Sequence, residues 1–587
     1  MFNKNNSILS GGHLEKKVLR LTKRQLCDLE CILNGTFSPL TGFLNIDDYY
    51  SVCKNMRLAD GTLSPIPITL DVSESFANKV QLGEQVVLTD DENTPLALLT
   101  INSKWQPDID EEALSIFGCI DKKHPGVNYL YTVAGPYYLG GHVTALSPIT
   151  HCDFIQYRHT PTQLQQLFKQ YGWSKIIAFQ TRNPIHRAHY ELMQRASKEI
   201  NGHVLIHPVV GMTRSGDIDY VTRVHCYEAV LNEFPLRRAA LSLLPLAMRM
   251  AGPREALWHA IIRKNFGVTH CIIGRDHAGP GLNSDGYPFY DPYAAQTLVN
   301  QHKSEIGIEI ISFSAMVYVK EKAIFCTVDE LNPNDTIKDL SGTELRRRLE
   351  KRLTIPDWFT FPRVVKILQQ AYPPKHQQGF TLFFTGLSGA GKSTIAKAFM
   401  SYLQSTSNQR KMTLLDGDIV RYHLSDGLGF SKADRDTHIS RIGYVASEIT
   451  KHGGIAICAA IAPYTATRQQ VRVAVSQFGG FIEVYIATPL EVCKERDVKG
   501  LYRKAEQGLI QHVSGVDDPY EVPINPDIKI DTSTTTIHDA VQEILSTLIS
   551  HGYLLKGSKY PINMNNNEIF QESGYERNAC TKLDESV

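Results

Sequence analysis

Residues 175–196 read KIIAFQTRNPIHRAHYELMQRA, and their reading decides the fold of the larger part of the chain. "KIIAF" is a short continuous apolar run, the pattern of a strand buried on both faces. "QTRNP" breaks it with polar residues and a proline, and a helix-like stretch follows. The segment is therefore a strand, a loop and a helix. Asn183 is a good N-cap and Pro184 suits the first helical position, so the helix is expected to start there. His186 and His189 then fall in its first two turns, three apart, on one face. A helix N-terminus presents unpaired N–H groups and a partial positive charge, which makes it an anion site that the two histidines extend.

Three readings of the pair compete. Zinc could take two histidines at this spacing, but it needs a third ligand, and Glu191 lies on a different face. The rings could simply bond at a helix start. Or Arg182 and the two histidines stabilise charge on nucleotide phosphates, the imidazoles donating N–H bonds to a leaving pyrophosphate whether or not either is protonated. A second segment favours the last. "THCIIGRDHAGPG", residues 269–281, is an apolar strand running into a glycine-rich loop with Arg275, Asp276 and His277. A loop of that composition at a strand's carboxyl end is another anion cradle.

Working outward, apolar runs "HVLIHPVV" and "IEIISF" alternate with helical stretches, as in a buried parallel sheet with crossover helices. The first 150 residues differ. Short β-like runs ("EQVVLTD", "LALLTI", "YLYTVAG") between Gly/Pro turns predict a compact β-rich unit. At "AYPPKHQQGF", residues 371–380, two prolines stop a helix-like run and a polar stretch leads into a new strand, so a linker is expected there. Beyond it "FTLFFT", "KMTLLD", "GIAICAAI" and "FIEVYIA" repeat the α/β texture with no evident sequence repeat. The polar end of the chain is expected to be loose.

The 587 residues suggest about four folding units. Hydrophobic and charged contents of 42% and 21% are ordinary for a globular protein. With a net charge of zero, nothing argues for a general nucleic-acid or membrane surface, and any anion binding must come from local sites. No apolar run is long enough for a membrane span, and the N-terminus lacks the apolar core of a signal peptide. Eleven cysteines without a CxxC read as reduced, mostly buried residues of a cytoplasmic protein.

After the linker, residues 386–394 read GLSGAGKST, between a strand and a helix. Gly386, Leu387, Ser388, Gly389, Ala390 and Gly391 form a loop whose N–H groups can surround phosphate oxygens. Lys392 reaches the β/γ-phosphates, Ser393 can hold Mg²⁺, and Thr394 continues into the helix. In "LLDGDIVR", Asp416 and Asp418 fall at a strand's end, where they can serve as metal shell and as base for an attacking hydroxyl.

"LDGDIVRYHLSDGLGFSKADR", "IAPY" and "RDVKGLYRKA" resemble adenylylsulfate (APS) kinases, over roughly residues 379–550. These enzymes transfer the ATP γ-phosphoryl group to the 3'-hydroxyl of APS, giving PAPS. The resemblance implies Asp418 as base. It also implies an APS site with Asp416, Arg421, Phe430 (as stacking surface), Arg435, His438, Ile461 and Lys499. The chain departs from the family at His438 and Ser440, in a motif usually Asn-Ile-Arg-Arg, and at Ala462, where the family has serine. Alanine cannot carry a phosphoryl group, so transfer is expected to be direct.

Residues 15–370 resemble ATP sulfurylases (sulfate adenylyltransferases), on "NGTFSPLTGFL", "QTRNPIHRAH", "GDIDYVTRV", "LPLAMRMAGPREALWHAIIRKNFG", "GRDHAGPG", "FSAMVY" and "SGTELRRRL". The implied architecture is a PUA-like N-terminal domain (1–150), an HxxH nucleotidyltransferase α/β domain (151–318) and a small subdomain (319–373). A P-loop kinase domain (379–555) and a polar tail (556–587) complete the chain. The implied reaction is MgATP plus sulfate giving APS and pyrophosphate. Sulfate is already a nucleophile at neutral pH, so the protein's work is to position two repelling anions and neutralise the α-phosphorus centre. By motif, Gln180, Arg182 and the Ala278 backbone hold sulfate. Thr181, Arg182 and Asn183 flank the reacting phosphate, and His186 and His189 face the β/γ-phosphates. Gly274, Arg275, Asp276 and His277 bind the nucleotide, and Val317 borders the adenine.

The first product is the second enzyme's substrate, so the sequence predicts one chain that makes PAPS from sulfate and two ATP. Mg²⁺ is the expected cofactor, and a homo-oligomer is expected because relatives of both halves commonly assemble. Two alternatives stand beside it. The kinase-like domain could be a regulatory PAPS/APS-binding module without catalysis, although its P-loop is intact. Or the HxxH architecture could serve an aminoacyl or cytidylyl transferase, against which the "QTRNP" arginine and the downstream kinase argue.

Overall fold

The computed structural model describes residues 16–214, 216–405 and 410–555. The expected loose tail lies outside them. The chain forms two compact units that divide between Tyr372 and Pro373, inside the expected linker.

The first unit opens with a mixed sheet. Strands run in the order Val18–Arg20, Gln85–Thr89, Pro95–Trp105, Tyr137–Ala145 and Gly42–Phe43, and Leu70–Val72 also pairs with Tyr137–Ala145. One expectation fails here: "YLYTVAG" is no strand, its first four residues closing a helix, Pro125–Thr132. Its cap is His124, whose Nδ1 accepts the N–H groups of Gly126 (3.1 Å) and Val127 (3.4 Å). Tyr129, Tyr131, Thr132 and Val133 read as strand because aromatic and β-branched side chains favour strands when context is ignored.

The second sheet of this unit is wholly parallel. Its order is Glu309–Ser312, His270–Ile273, Ile176–Phe179, His203–Ile206, Ala239–Leu241. The first strand in sequence, Ile176–Phe179, lies between the second and the fourth. The chain therefore leaves adjacent strands in opposite directions across the sheet, which opens a crevice at their carboxyl ends. The loops entering that crevice are 180–186 and 274–279, the two segments singled out by sequence. A buried ion pair, Arg249 to Asp28 of the helix Lys23–Leu33 at 2.6 Å, and a contact of Phe37 with Trp258 of the helix Gly252–Asn265, centroids 5.1 Å apart, join the N-terminal region to the elements around this sheet. A small antiparallel sheet follows, of Ile324–Thr327, Met316–Val319 and Ile337–Lys338. Its strand Met316–Val319 runs across the boundary expected at 318.

The second unit is a five-stranded parallel sheet in the order Met412–Asp416, Ile455–Ala459, Phe380–Thr385, Gly480–Ile486, Ile528–Ile530. All six residues of Phe380–Thr385 are buried, because helices cover both faces of the central strand. That is why "FTLFFT" shows no alternation. Every described cysteine is free. No helix among the described residues is long and apolar enough to cross a membrane.

Candidate active sites

At the crevice of the first unit, a cavity of about 460 Å³ is lined by Gln180, Thr181, Arg182, Asn183 and His189 from one loop. Gly274, Arg275, Asp276, His277 and Ala278 line it from the other, with Ala315 and Met316 at the rim. Two candidates stand apart: neither His186 nor Val317 lines the cavity.

The helix after the first loop starts later than expected, at Arg187, with His186 as N-cap. A cap at Asn183 would need its carbonyl to accept the Arg187 N–H. That carbonyl instead accepts the Tyr227 hydroxyl (3.1 Å) and the Thr181 hydroxyl (2.9 Å), while the Arg187 N–H goes to the Phe359 carbonyl (3.1 Å). The N–H of His186 donates to Nδ1 of His189 at 3.2 Å. Burial pushes His189 down to about 4, so it is neutral at pH 7. With Nδ1 accepting, the ring proton sits on Nε2, and His189 is a hydrogen-bond donor. His186 is pushed down to about 3, by burial first and by His189 second. Its Nδ1 lies 2.9 Å from the Thr360 hydroxyl, and its ring packs on Phe359 with centroids 4.5 Å apart. With one nitrogen of each ring engaged inside the protein, the pair is not arranged to share a metal. Among the described residues no group of three or more metal-binding side chains exists.

Arg182 does not project freely. One of its terminal nitrogens lies 2.5 and 2.7 Å from the two Asp217 oxygens. Its backbone carbonyl accepts from the buried Arg223 at 3.2 Å, which also donates to the Val209 and Ile218 carbonyls, each at 2.9 Å. Arg223 thus fixes the loop from beneath. Gln180 Oε1 is buried without a partner, an acceptor whose cost implies a missing ligand or water. In the second loop Asp276 (φ 51°) and Ala278 (φ 55°) both take left-handed backbone, the kind of strain that concentrates at binding loops. Burial raises the Asp276 carboxyl, with Arg182 and Arg275 opposing.

In the second unit a cavity of about 350 Å³ opens over the glycine-rich loop. Ser388, Gly389, Gly391, Lys392, Ser393, Thr394, Asp416, Asp418, Arg421, Phe430, Arg435, His438, Ile461 and Lys499 all line it. Gly386, Leu387 and Ala390 do not; their carbonyls anchor the loop. Lys392 Nζ donates to the carbonyls of Gly386 (2.9 Å) and Leu387 (2.7 Å). The Ala390 carbonyl accepts from Thr488 (3.1 Å) and Thr532 (2.9 Å), and Tyr502 donates to the Ser388 carbonyl at 2.9 Å. Burial first, then Lys499, brings Lys392 down to about 8. Gly386, at φ 149°, admits no side chain: a Cβ would stand 2.6 Å from the Ile486 carbonyl.

Ser393 Oγ donates to Asp416 Oδ2 at 2.7 Å, while Asp416 Oδ1 caps the next helix through the Asp418 N–H at 3.0 Å. Asp418 is ion-paired with Lys499. The Arg421 and Arg435 guanidiniums lie 4.6 and 5.6 Å from the centre of the half-exposed Phe430 ring. Both arginines also donate to nearby carbonyls, Arg421 to Leu428 and Gly429 and Arg435 to Phe430 and His512. His438 is buried with Nδ1 3.0 Å from the Ser425 hydroxyl, and burial with Arg421 pushes it down to about 4. Arg223, Tyr227, Thr360, Thr488 and Thr532 were not singled out by sequence. They act through backbone carbonyls or one ring nitrogen, and such contacts leave no local pattern.

A parallel-sheet crevice with anion-facing loops, followed by a phosphate loop backed by paired carboxylates, defines a transferase with two nucleotide-type sites in one chain. The PUA-like domain family matches residues 4–148, the ATP-sulfurylase family 155–371 and the adenylylsulphate kinase family 378–531. The chain is 50% identical over 540 residues to a sulfate adenylyltransferase of Aspergillus fumigatus, covering 91% of this chain and 93% of that one. It is also 50% identical to one of Coccidioides immitis, covering 92% and 94%. A solved structure described as a hexameric APS kinase from Thiobacillus denitrificans superposes with a TM-score of 0.74 at 37% identity, covering 92% of this chain and 94% of that one. The chain belongs to the sulfate adenylyltransferase (ATP sulfurylase) family and carries an adenylylsulphate kinase domain after it.

Proposed function

We propose that the chain activates sulfate in two steps. ATP and sulfate give APS and pyrophosphate at the first cavity, and APS and a second ATP give PAPS and ADP at the second. A sulfate oxygen attacks the α-phosphorus, the α–β bridging oxygen leaves with pyrophosphate, and no proton need move. His189 donates Nε2–H toward the leaving oxygens. Arg182, oriented by Asp217, Gln180 and the Ala278 N–H, which makes no hydrogen bond among the described residues, receive sulfate. Gln180 can turn its amide N–H toward the anion while its carbonyl takes another partner. Thr181 and Asn183 shape the loop that flanks the phosphate. His186 acts one step back, holding its loop on Thr360 and supplying the N–H that fixes the polarity of His189.

At the second cavity Asp418 accepts the 3'-hydroxyl proton of APS as that oxygen attacks the γ-phosphorus and ADP leaves. Ser393 Oγ and Asp416 are adjacent hard oxygen donors, a pair that suits Mg²⁺ bound together with nucleotide phosphates. The ion would neutralise charge on the β/γ oxygens. The observation that carries the reading is the convergence of Lys392, Ser393 and Thr394 of the phosphate loop, both aspartates and the Arg421–Phe430 surface on one cavity.

A second reading has its own support: relatives aligned across both domains carry the name sulfate adenylyltransferase alone. In that case the second cavity only binds. Purified protein given APS and MgATP decides between them. PAPS should form, and Lys392→Ala should abolish it while leaving sulfate-dependent ATP–pyrophosphate exchange intact. Exchange without PAPS would leave the binding reading. A cytoplasmic homo-oligomer completes the proposal, in keeping with the hexameric description of the Thiobacillus denitrificans structure.

A further inference from the structure

Two imidazoles line the first cavity, and their inner nitrogens are held by different groups. His189 is made a donor by the His186 N–H, as described above. His277 is held from behind by a second histidine. Its Nε2 lies 3.0 Å from Nδ1 of His259, a fully buried side chain on the helix Gly252–Asn265. Nε2 of His259 in turn faces Glu255 Oε1 at 3.4 Å, one helical turn back. That contact is outside hydrogen-bond geometry, and Nε2 is a buried nitrogen with no hydrogen-bond partner among the described residues, but the nearest group to it is a carboxylate. Both Glu255 oxygens accept backbone N–H groups, from Arg249 at 3.0 Å and Ala251 at 2.8 Å. Burial raises the Glu255 carboxyl, while these two N–H groups and the Arg249 charge oppose the rise; with both oxygens accepting, we read the ring opposite as presenting N–H and not a lone pair.

The polarity then propagates. His259 carries its proton on Nε2, toward Glu255, and its Nδ1 is an acceptor. His277 donates Nε2–H to that acceptor, so its Nδ1 bears a lone pair. Nδ1 has no partner among the described residues and is not enclosed. Burial keeps both rings neutral: His277 falls to about 3 and His259 well below its ordinary value.

We propose that Glu255 and His259 are positioning residues that fix His277 as a hydrogen-bond acceptor, and that its Nδ1 reads a donor on the nucleoside half of the nucleotide. Sulfate and the fully ionised phosphates of MgATP offer only acceptors, so His277 Nδ1 finds no partner on them. ATP carries three suitable donors, the two ribose hydroxyls and the exocyclic amine. The cavity thus has a donor histidine for the phosphate end and an acceptor histidine for the nucleoside end. This rests on reading the cavity as a nucleotide site.

Two measurements test it. First, the imidazole nitrogen resonances of ligand-free, ¹⁵N-histidine-labelled protein are recorded, with His277 and His259 assigned by loss in His277→Gln and His259→Gln. His277 should show an unprotonated Nδ1 and a protonated Nε2. The opposite tautomer overturns the relay and needs no ligand to be seen. Second, ATP–pyrophosphate exchange is compared for ATP, 2'-deoxy-ATP, 3'-deoxy-ATP and the triphosphate of purine riboside, which lacks the amine. One analogue should show a KM about 5- to 30-fold above that of ATP, the loss of one hydrogen bond that leaves a polar group unpaired. His277→Ala should erase that penalty for the same analogue, and His259→Gln or Glu255→Gln should reduce it. Equal use of all four nucleotides, or a penalty that survives His277→Ala, refutes the assignment. Absence of sulfate-dependent exchange in the unaltered protein would fail the site reading itself, whatever the tautomer.

Discussion

The proposed role of Lys392 as a phosphate ligand predicts that nucleotide binding at the second site depends on pH. In the ligand-free loop its Nζ is buried against two carbonyls, and desolvation holds it at about 8 instead of the usual 10.5. At about 1.36 kcal/mol per pH unit, this disfavours the charged form by about 3 kcal/mol. A bound polyphosphate restores the charge, so binding must take up whatever proton the free lysine lacks. The free lysine is about nine-tenths charged at pH 7 and about one-tenth at pH 9. ADP should therefore bind about tenfold more weakly at pH 9, with uptake of about 0.9 proton against about 0.1 at pH 7. The ligand-free fold shows the opposite trend. An unfolded lysine holds its proton up to about 10.5, so between about pH 8 and 10.5 the unfolded state binds more protons, and this group's contribution makes the fold more stable as pH rises. The assay is calorimetric titration with ADP in two buffers of different ionisation enthalpy, taking the difference between the protein and Lys392→Ala to isolate this site. Equal affinity at both pH values, with no proton uptake at pH 9, would show that the buried lysine is already fully charged and refute the reasoning.

Other expectations follow from particular contacts. His189 lines the first cavity and His186 does not, so His189→Ala should lower the exchange kcat by about 10²- to 10³-fold, the scale of losing one donor to a transition-state anion. His186→Ala, which keeps the backbone N–H, should cost less; equal losses would count against these roles. Arg223→Met leaves buried carbonyls unpaired and should destabilise the first unit by about 3 kcal/mol, seen as an earlier urea transition, with PAPS formation from added APS unchanged.

Much of the α/β architecture was legible because buried parallel strands write themselves as uninterrupted apolar runs. "KIIAF", "THCIIG" and "FTLFFT" each fall on a strand that turns into a cavity-lining loop. The phosphate loop was legible because its glycines and Lys392 are contiguous. The start of the HxxH helix was not. Asn183 and Pro184 have good local credentials, but Tyr227, 44 residues away, takes the carbonyl that the helix would need. Long-range hydrogen bonds of this kind overrule local capping preference and have no signature in a single sequence. The failure at 129–135 has a local origin, an uncommon histidine cap at His124. The candidate sites divide similarly. Side chains that face the cavities were named from motifs, while those that hold them, Asp217, Arg223, Thr360 and Thr532, came only from the structure.

The ion pair between Asp418 and Lys499 is a feature with a kinetic side. Both side chains are more than half exposed, so the pair is weak and readily exchanged. On the proposed role of Asp418 as base, while the pair stands the aspartate has a cation on it, and a water entering before APS meets no free base. An anionic substrate that draws Lys499 to itself would release the aspartate as it arrives. The safeguard is against idle turnover: ATP waiting alone in the second site should be spared from hydrolysis. Lys499→Met should then raise phosphate release from ATP in the absence of APS, and an unchanged rate would mean that the pair guards nothing.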